Sequence, residues 1–255
     1  MNPAHRQSGH GLRHDWGGQG ATAVAAGADV AVVVDVLSFT TTLSVAADAG
    51  TVVYPYRWAD DDTAGRFASE HDATLAVSRS AAQSGQVSLS PASVRNAIPP
   101  PARLVLPSPN GSTIAQNLAG CAGAVIGACL RNTDAVAAWI SANHRPGTAI
   151  AVVSAGERWP DGSLRPCVED WWGAGALLAA LRCRGWDDLS PEAAAAEAAY
   201  HGVADHLSEA LRACASGKEL AAAGHRDDID IAAEIDTSPC VPLMNAGAFV
   251  AARGN

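Results

Sequence analysis

The chain has 255 residues with 26 acidic against 17 basic side chains, a formal net charge of -9 and a pI near 5.2. It has no Lys/Arg run, which makes nucleic acid and anionic membrane surfaces poor partners, and no unbroken apolar stretch approaches the ~18 residues that span a membrane. Any anionic small substrate must therefore be met by a local basic pocket or a bound cation, against the general field.

Residues 1–14 are rich in Gly, His, Gln and Arg without periodicity and read as a disordered segment, with one domain over 15–255 and order beginning near Asp15. Ala28–Leu37, a near-continuous β-branched run, is the clearest buried strand, and it carries one acid, Asp35, near its end. A buried carboxylate needs a metal, hydrogen-bond donors or a cation. Ser38, Thr40, Thr41 and Thr42 then open a helix ending at Gly50; their hydroxyls and the free N–H groups suit an anion, although capping alone would also explain them. Thr51–Tyr54 and Thr74–Val77 read as strands, a helix falls within Arg57–His71, and Ser80–Pro101 reads as a long loop.

The strand–turn–helix pattern recurs at Arg103–Leu118, where Asn110, Gly111 and Ser112 form the turn and helix start, and at Ala124–Asn143, where Arg131 to Asp134 sit at the strand exit. It recurs again at Ile150–Leu181. There a short strand meets a charged loop bearing Glu157, Arg158, Asp161 and Arg165, then a helix with Glu169 and Asp170 in its first turn. Gly173 and Gly175 lie inside that helix and imply close packing rather than a dinucleotide fingerprint, because no GxGxxG follows a strand. Pro191–Ala215 reads as one Ala-rich helix and Gly217–Gly224 as a short one. Asp227, Asp228 and Asp230 read as a solvated acidic turn, and the tail as two strands about Asn245-Ala246-Gly247.

These units predict an α/β fold, a largely parallel sheet flanked by helices, in one domain or two interlocked lobes, with polar residues delivered to one sheet edge. Glu157, Asp161, Glu169 and Asp170 would converge there as hard oxygen ligands for magnesium, with Arg158 and Arg165 holding an anion; charge compensation of the helix dipole is the simpler reading of Glu169 and Asp170. Six scattered cysteines with neither CxxC nor zinc spacing, and no secretory h-region, predict a reduced cytoplasmic location. Cys167 has no nearby histidine in sequence and reads as a packed thiol.

Asp35-Val36-Leu37 with Thr40–Thr42, Asn110-Gly111-Ser112, Ser154–Glu157, Glu169-Asp170 with Gly173–Gly175, and Asp228-Ile229-Asp230 together resemble the 2-phosphosulfolactate phosphatases of coenzyme M biosynthesis. The likeness runs from about Asp15 to Val250. It implies a magnesium-dependent phosphatase with its own α/β fold, hydrolysing 2-phospho-3-sulfolactate. Asp35, Asn110 and Glu169 would then be catalytic, Thr40, Thr41, Thr42, Gly111 and Ser112 would bind substrate, and Asp35, Glu169 and Asp170 would hold the metal. Ser38 stands where the family usually has Arg, so Arg158 and Arg165 are the candidates to supply that cation. The missing second acid at Leu37 favours metal-activated water over a covalent Asp35 intermediate. A phosphatase for another small phosphorylated 2-hydroxy acid, or a non-catalytic anion binder, are the alternatives, and a homo-oligomer is the default assembly.

Overall fold

The computed structural model describes residues 2–57, 62–83 and 85–253; residue 1 of the expected disordered segment, residues 58–61 of the helix expected within Arg57–His71, residue 84 of the expected loop and residues 254–255 of the expected domain lie outside the described residues. The strands are β1 (Leu12–Trp16), β2 (Val30–Val34), β3 (Val52–Arg57), β4 (Thr74–Leu75), β5 (Arg103–Ser108), β6 (Ala124–Ala128), β7 (Ile150–Ser154), β8 (Glu157–Arg158), β9 (Leu164–Arg165), β10 (Cys240–Asn245) and β11 (Ala248–Arg253). The helices are α1 (Gly17–Val24), α2 (Phe39–Asp48), α3 (Thr63–Glu70), α4 (Pro91–Arg95), α5 (Gly111–Leu118), α6 (Thr133–Asn143), α7 (Val168–Arg182), α8 (Pro191–His201), α9 (Leu207–Ala213), α10 (Ala215–Ala222) and α11 (Arg226–Ala232).

Nine strands form a mostly parallel sheet in the order β1-β7-β2-β6-β10-β11-β3-β5-β4, which bears out the α/β expectation. The C-terminal hairpin is the exception to the parallel rule. It pairs antiparallel with β6 on one side and β3 on the other, so the parallel half holding β2, β6 and β7 meets the parallel half holding β3 and β5 through three antiparallel steps. The units expected to share one parallel sheet thus fall into two halves of opposite direction.

Side-chain alternation decides what each half presents. Along β2, Val30, Val32 and Val34 pack with α6, α7 and α8, while Ala31 and Val33 pack with α1, α2 and α5. Each such fully buried valine contributes on the order of 1.5–3 kcal/mol. Continuing the alternation one residue past Val34 turns Asp35 toward the face of α2 and α5. On the opposite face the small residues of α7 permit close approach, as expected: a Cβ on Gly175 would lie 2.1 Å from the Ala196 carbonyl of α8, and one on Gly173 2.7 Å from Val36.

Several local expectations shift. β1 already begins at Leu12, ahead of Asp15, because Leu12 to Trp16 pair in register with Ile150 to Ser154, and a 3-10 turn occupies Pro3–Arg6. The Ala-rich segment after Pro191 is two helices broken after His201 by Gly202 and a 3-10 turn at Ala204–His206, not one. Within Ser80–Pro101 the loop folds into α4, whose N-cap Ser90 accepts from Ser93 N–H. The acidic run is not a solvated turn: Asp227, Asp228 and Asp230 lie on α11, and Asp228 is 1% exposed.

Candidate active site

The exits of β2, β5 and β7 meet at a cavity of about 720 Å³ lined by Asp35, Ser38, Asn110, Glu157, Arg79 and His225, among others. Asp35 forms its floor. One carboxylate oxygen accepts from the Phe39 N–H at 3.1 Å and the other from the Gly111 N–H at 3.1 Å, so the acid sits between the N-termini of α2 and α5. Helix dipoles and N–H donors favour the anion there. Burial, with Glu157 and Glu169 as further negative charges, outweighs them and pushes Asp35 up to about 7.

Asp170 has a related posture on the other side of the sheet. Its two oxygens accept from Val36 N–H at 2.7 Å and Gly156 N–H at 2.8 Å, which ties the β2 and β7 exits to the first turn of α7. Burial first, then Asp35 and Glu169, raise it well above the usual carboxylate range. Glu169 is buried in the same acidic group, within hydrogen-bond reach of the Cys214 thiol. Both Cys214 and Cys167 are pushed up, mainly by burial and then by Glu169, so neither is a thiolate at neutral pH. Among the described residues no three acidic, histidine or cysteine side chains form a ready-made metal cage.

Asn110 donates its side-chain amide to Glu157 Oε1, and this pair separates the main cavity from a second one of about 500 Å³ between α1, α5 and the β8–β9 hairpin. Burial raises Glu157, against the opposing pull of Arg165 and Asn110.

The hydroxyls expected to bind substrate turn inward instead. Thr40 Oγ1 donates to the Asp35 carbonyl and accepts from the Asp35 N–H, Thr41 Oγ1 donates to the Val36 carbonyl, and Ser112 Oγ donates to the Leu106 carbonyl. Thr40, Thr41, Thr42 and Ser112 are fully buried and none lines the cavity. Thr40, Thr41 and Ser112 brace the loops that aim Asp35, while the leading N–H of each helix is already taken by its carboxylate.

Neither loop arginine lines the main cavity. Arg158 is exposed, donates to the Gly162 carbonyl and faces the second cavity; Arg165 pairs with Glu219 at 3.6 Å and stacks over Trp159. Asp161 does not join the other acids. It is exposed and holds Ser163 in the hairpin turn, because two adjacent short strands there demand a tight reversal. Arg131 and Asn132, at the β6 exit, are structural as well: Arg131 is buried against Asp48, Glu234 and Ser44, and Asn132 caps the Cys129 N–H.

The sequence reading missed Arg79. It is the one arginine or lysine on the cavity wall among the described residues, bound to Ser38 Oγ at 2.6 Å and to buried Asp228 at 3.0 Å. A lone arginine in the Ser-rich stretch Ser78–Ser80 was its only local signal.

A family model for 2-phosphosulpholactate phosphatase matches residues 21–247. A protein of Deinococcus radiodurans described as a probable 2-phosphosulfolactate phosphatase is 30% identical over 224 residues, 86% of this chain and 89% of the relative. The match spans every residue that lines the main cavity, from Asp35 to His225, and by that measure the chain belongs to the 2-phosphosulfolactate phosphatase family.

Proposed function

We propose that the chain hydrolyses the phosphate monoester of 2-phospho-3-sulfolactate to 3-sulfolactate and inorganic phosphate, with magnesium as its cofactor. The observation that carries this reading is the buried carboxylate of Asp35 on the cavity wall, with Glu157 and Glu169 as further negative charges acting on it. Asp35 faces the cavity with only burial, two N–H groups and two further acids acting on it, so its charge calls for a cation. Asp35, on the cavity wall, and Glu169, buried in the same acidic group but not on that wall, are the residues that would hold magnesium, a cation that keeps some water and uses only one or two carboxylates besides a substrate phosphate. Asp170 bridges the Val36 and Gly156 N–H groups across the β2 and β7 exits and serves mainly to set those loops. When bound, the ion would neutralise phosphoryl oxygens and favour deprotonation of an attacking water.

The chain's own side chains supply the proton path. Glu157 reaches the cavity with Oε1 held by Asn110, and its raised pKa suits it to accept a proton from the attacking water and pass it to the leaving alkoxide oxygen. Water attacks phosphorus, the ester oxygen departs with that proton, and phosphate and alcohol result. A covalent route through Asp35 is disfavoured because Leu37 stands where a second acid would serve it.

The test is phosphate release from 2-phospho-3-sulfolactate and from phospholactate, each with magnesium and with chelator, for the parent and for Asp35→Asn. Magnesium-dependent release that prefers the sulfonate and is lost in the variant is the expected result. Equal release in chelator would remove the metal from the reading, and no release from either ester would overturn it.

A further inference from the structure

The cavity has two chemically different walls. One carries Asp35 and Glu157; the other is formed by the turn Arg79–Ala81, by Leu89 and by α10 with His225. The guanidinium of Arg79 is the fixed positive group between them. Its Nε donates to Asp228 Oδ2 at 3.0 Å and its Nη2 to Ser38 Oγ at 2.6 Å, while Nη1 has no protein acceptor among the described residues. Asp228 is itself locked, accepting from Ser90 Oγ at 2.5 Å and from Ala92 N–H at 3.2 Å. The arginine side chain keeps 19% exposure while its partner keeps 1%.

An arginine that merely closed a core would be enclosed and saturated. This one is anchored from behind by a buried carboxylate and presents its remaining N–H edge to a cavity. Pairing with Asp228 leaves the couple formally neutral, which makes it a weak stabiliser of charge that builds up during phosphoryl transfer. It is well suited to directional recognition of a planar or tetrahedral oxyanion already present in the ground state. Ser38 is small enough to leave the guanidinium in place and supplies the oxygen that orients it.

We propose that Arg79 binds the anionic group of the substrate that is not hydrolysed, a carboxylate or sulfonate oxygen set, while the phosphoryl group lies toward Asp35. Asp228 and Ser38 are positioning residues that fix the guanidinium. The proposal rests on the phosphatase reading for what the substrate is, and on the geometry above for which residue holds it.

The experiment compares the parent with Arg79→Gln and Arg79→Lys. Lysine retains the ion pair with Asp228, which protects the test if the glutamine variant folds poorly. Steady-state kinetics on 2-phospho-3-sulfolactate and phospholactate are joined by calorimetric binding of 3-sulfolactate, which has no phosphoryl group. KM should rise about 10- to 100-fold with kcat within about threefold, and 3-sulfolactate should bind more weakly by a similar factor. Asp228→Asn should show the same KM-selective effect, smaller in size. A KM effect confined to the sulfonate ester assigns the contact to the sulfonate, and an equal effect on both esters assigns it to the carboxylate. A fall in kcat at constant KM, or 3-sulfolactate binding unchanged in Arg79→Gln or absent in the parent, overturns the proposal. A parent that binds 3-sulfolactate through Arg79 yet releases no phosphate would instead sink the phosphatase reading and leave the role of Arg79 intact.

Discussion

Replacing Gly111 by alanine should damage stability and the site together. A Cβ there would lie 2.4 Å from Phe39 Cδ1, 2.7 Å from Phe39 Cγ and 2.6 Å from Asp35 Oδ2. Phe39 is fully buried and packs its ring against Phe249, so it has no free space to swing into. Overpacking of this kind costs about 1–3 kcal/mol. Displacing the carboxylate also forfeits the N–H bond from Gly111 to Asp35, a charge-assisted contact worth about 1.5–3 kcal/mol. A net loss on the order of 3 kcal/mol lowers the melting temperature by roughly 6–12 °C in a chain of this size. A shift of Asp35 by about 1 Å should reduce kcat/KM about 100-fold. Gly65→Ala is the control: it lies on α3 with open space around its would-be Cβ, and alanine there should be neutral or stabilising by up to about 1 kcal/mol. Thermal unfolding by circular dichroism and phosphate release well below the melting point read the two effects separately. A Gly111→Ala protein that melts within about 2 °C of the parent and keeps its activity would refute the argument that this glycine exists to admit Asp35.

Two further outcomes follow from buried charge. Asp35 rises to about 7 from 3.8 and Asp170 rises well above 3.8, so the folded chain holds protons that the unfolded chain has released; that stabilisation is complete below pH 3.8, and the share from Asp35 is lost as pH climbs through 7. His14, buried beside Ser154 and depressed to about 4 from 6.5, acts oppositely, its contribution being lost only as pH falls below 6.5, so the acids alone move above that point. Metal-free protein should therefore melt lower at pH 8 than at pH 6.5, by a margin that shrinks in Asp35→Asn; an equal or higher melting point at pH 8 would contradict the assignment. Arg131→Met strips a buried cation from Asp48 and Glu234 and should cost about 3 kcal/mol, seen in denaturant unfolding, while kcat per folded molecule stays unchanged. A large loss of kcat in the folded variant would place Arg131 in the site after all.

What the sequence disclosed was whatever is written locally. The β-branched run through Val34 names a buried strand by composition alone, and an acid at its end must be accounted for by any fold. The helix over Val168–Arg182 and its packing glycines are equally local. Non-local choices were invisible. The hairpin about Ala246 reads as two strands, but nothing in its pattern says that it enters the middle of the sheet between β6 and β3. Likewise the threonines after Ser38 look like anion ligands until the Asp35 and Val36 carbonyls are seen to claim two of their hydroxyls. Asp228 looks solvated beside Asp227 and Asp230, because its partner Arg79 is 149 residues away.

That distant pair also explains how an acidic protein can accept an acidic substrate. Its arginines are largely spent elsewhere: Arg131 on Asp48 and Glu234, Arg165 on Glu219, Arg182 on Glu197, Arg212 on Asp230. Among the described residues Arg79 alone of the arginines lines the main cavity, and it is half spent on Asp228. The opposite wall carries Asp35 and Glu157, with Asp170 and Glu169 buried nearby, and the fold tolerates their mutual repulsion because N–H groups at the ends of α2, α5, β2 and β7 hold Asp35 and Asp170 in place. Such a wall cannot stay fully ionised without a compensating charge, and the side chains around it supply too little. In the proposed reading, compensation comes from protons at low pH and from a bound cation at neutral pH. On that proposal Asp35, whose burial weakens the fold as pH rises, is also the group that would hold a divalent ion, so stability and chemistry are set at one point in the chain, the end of β2.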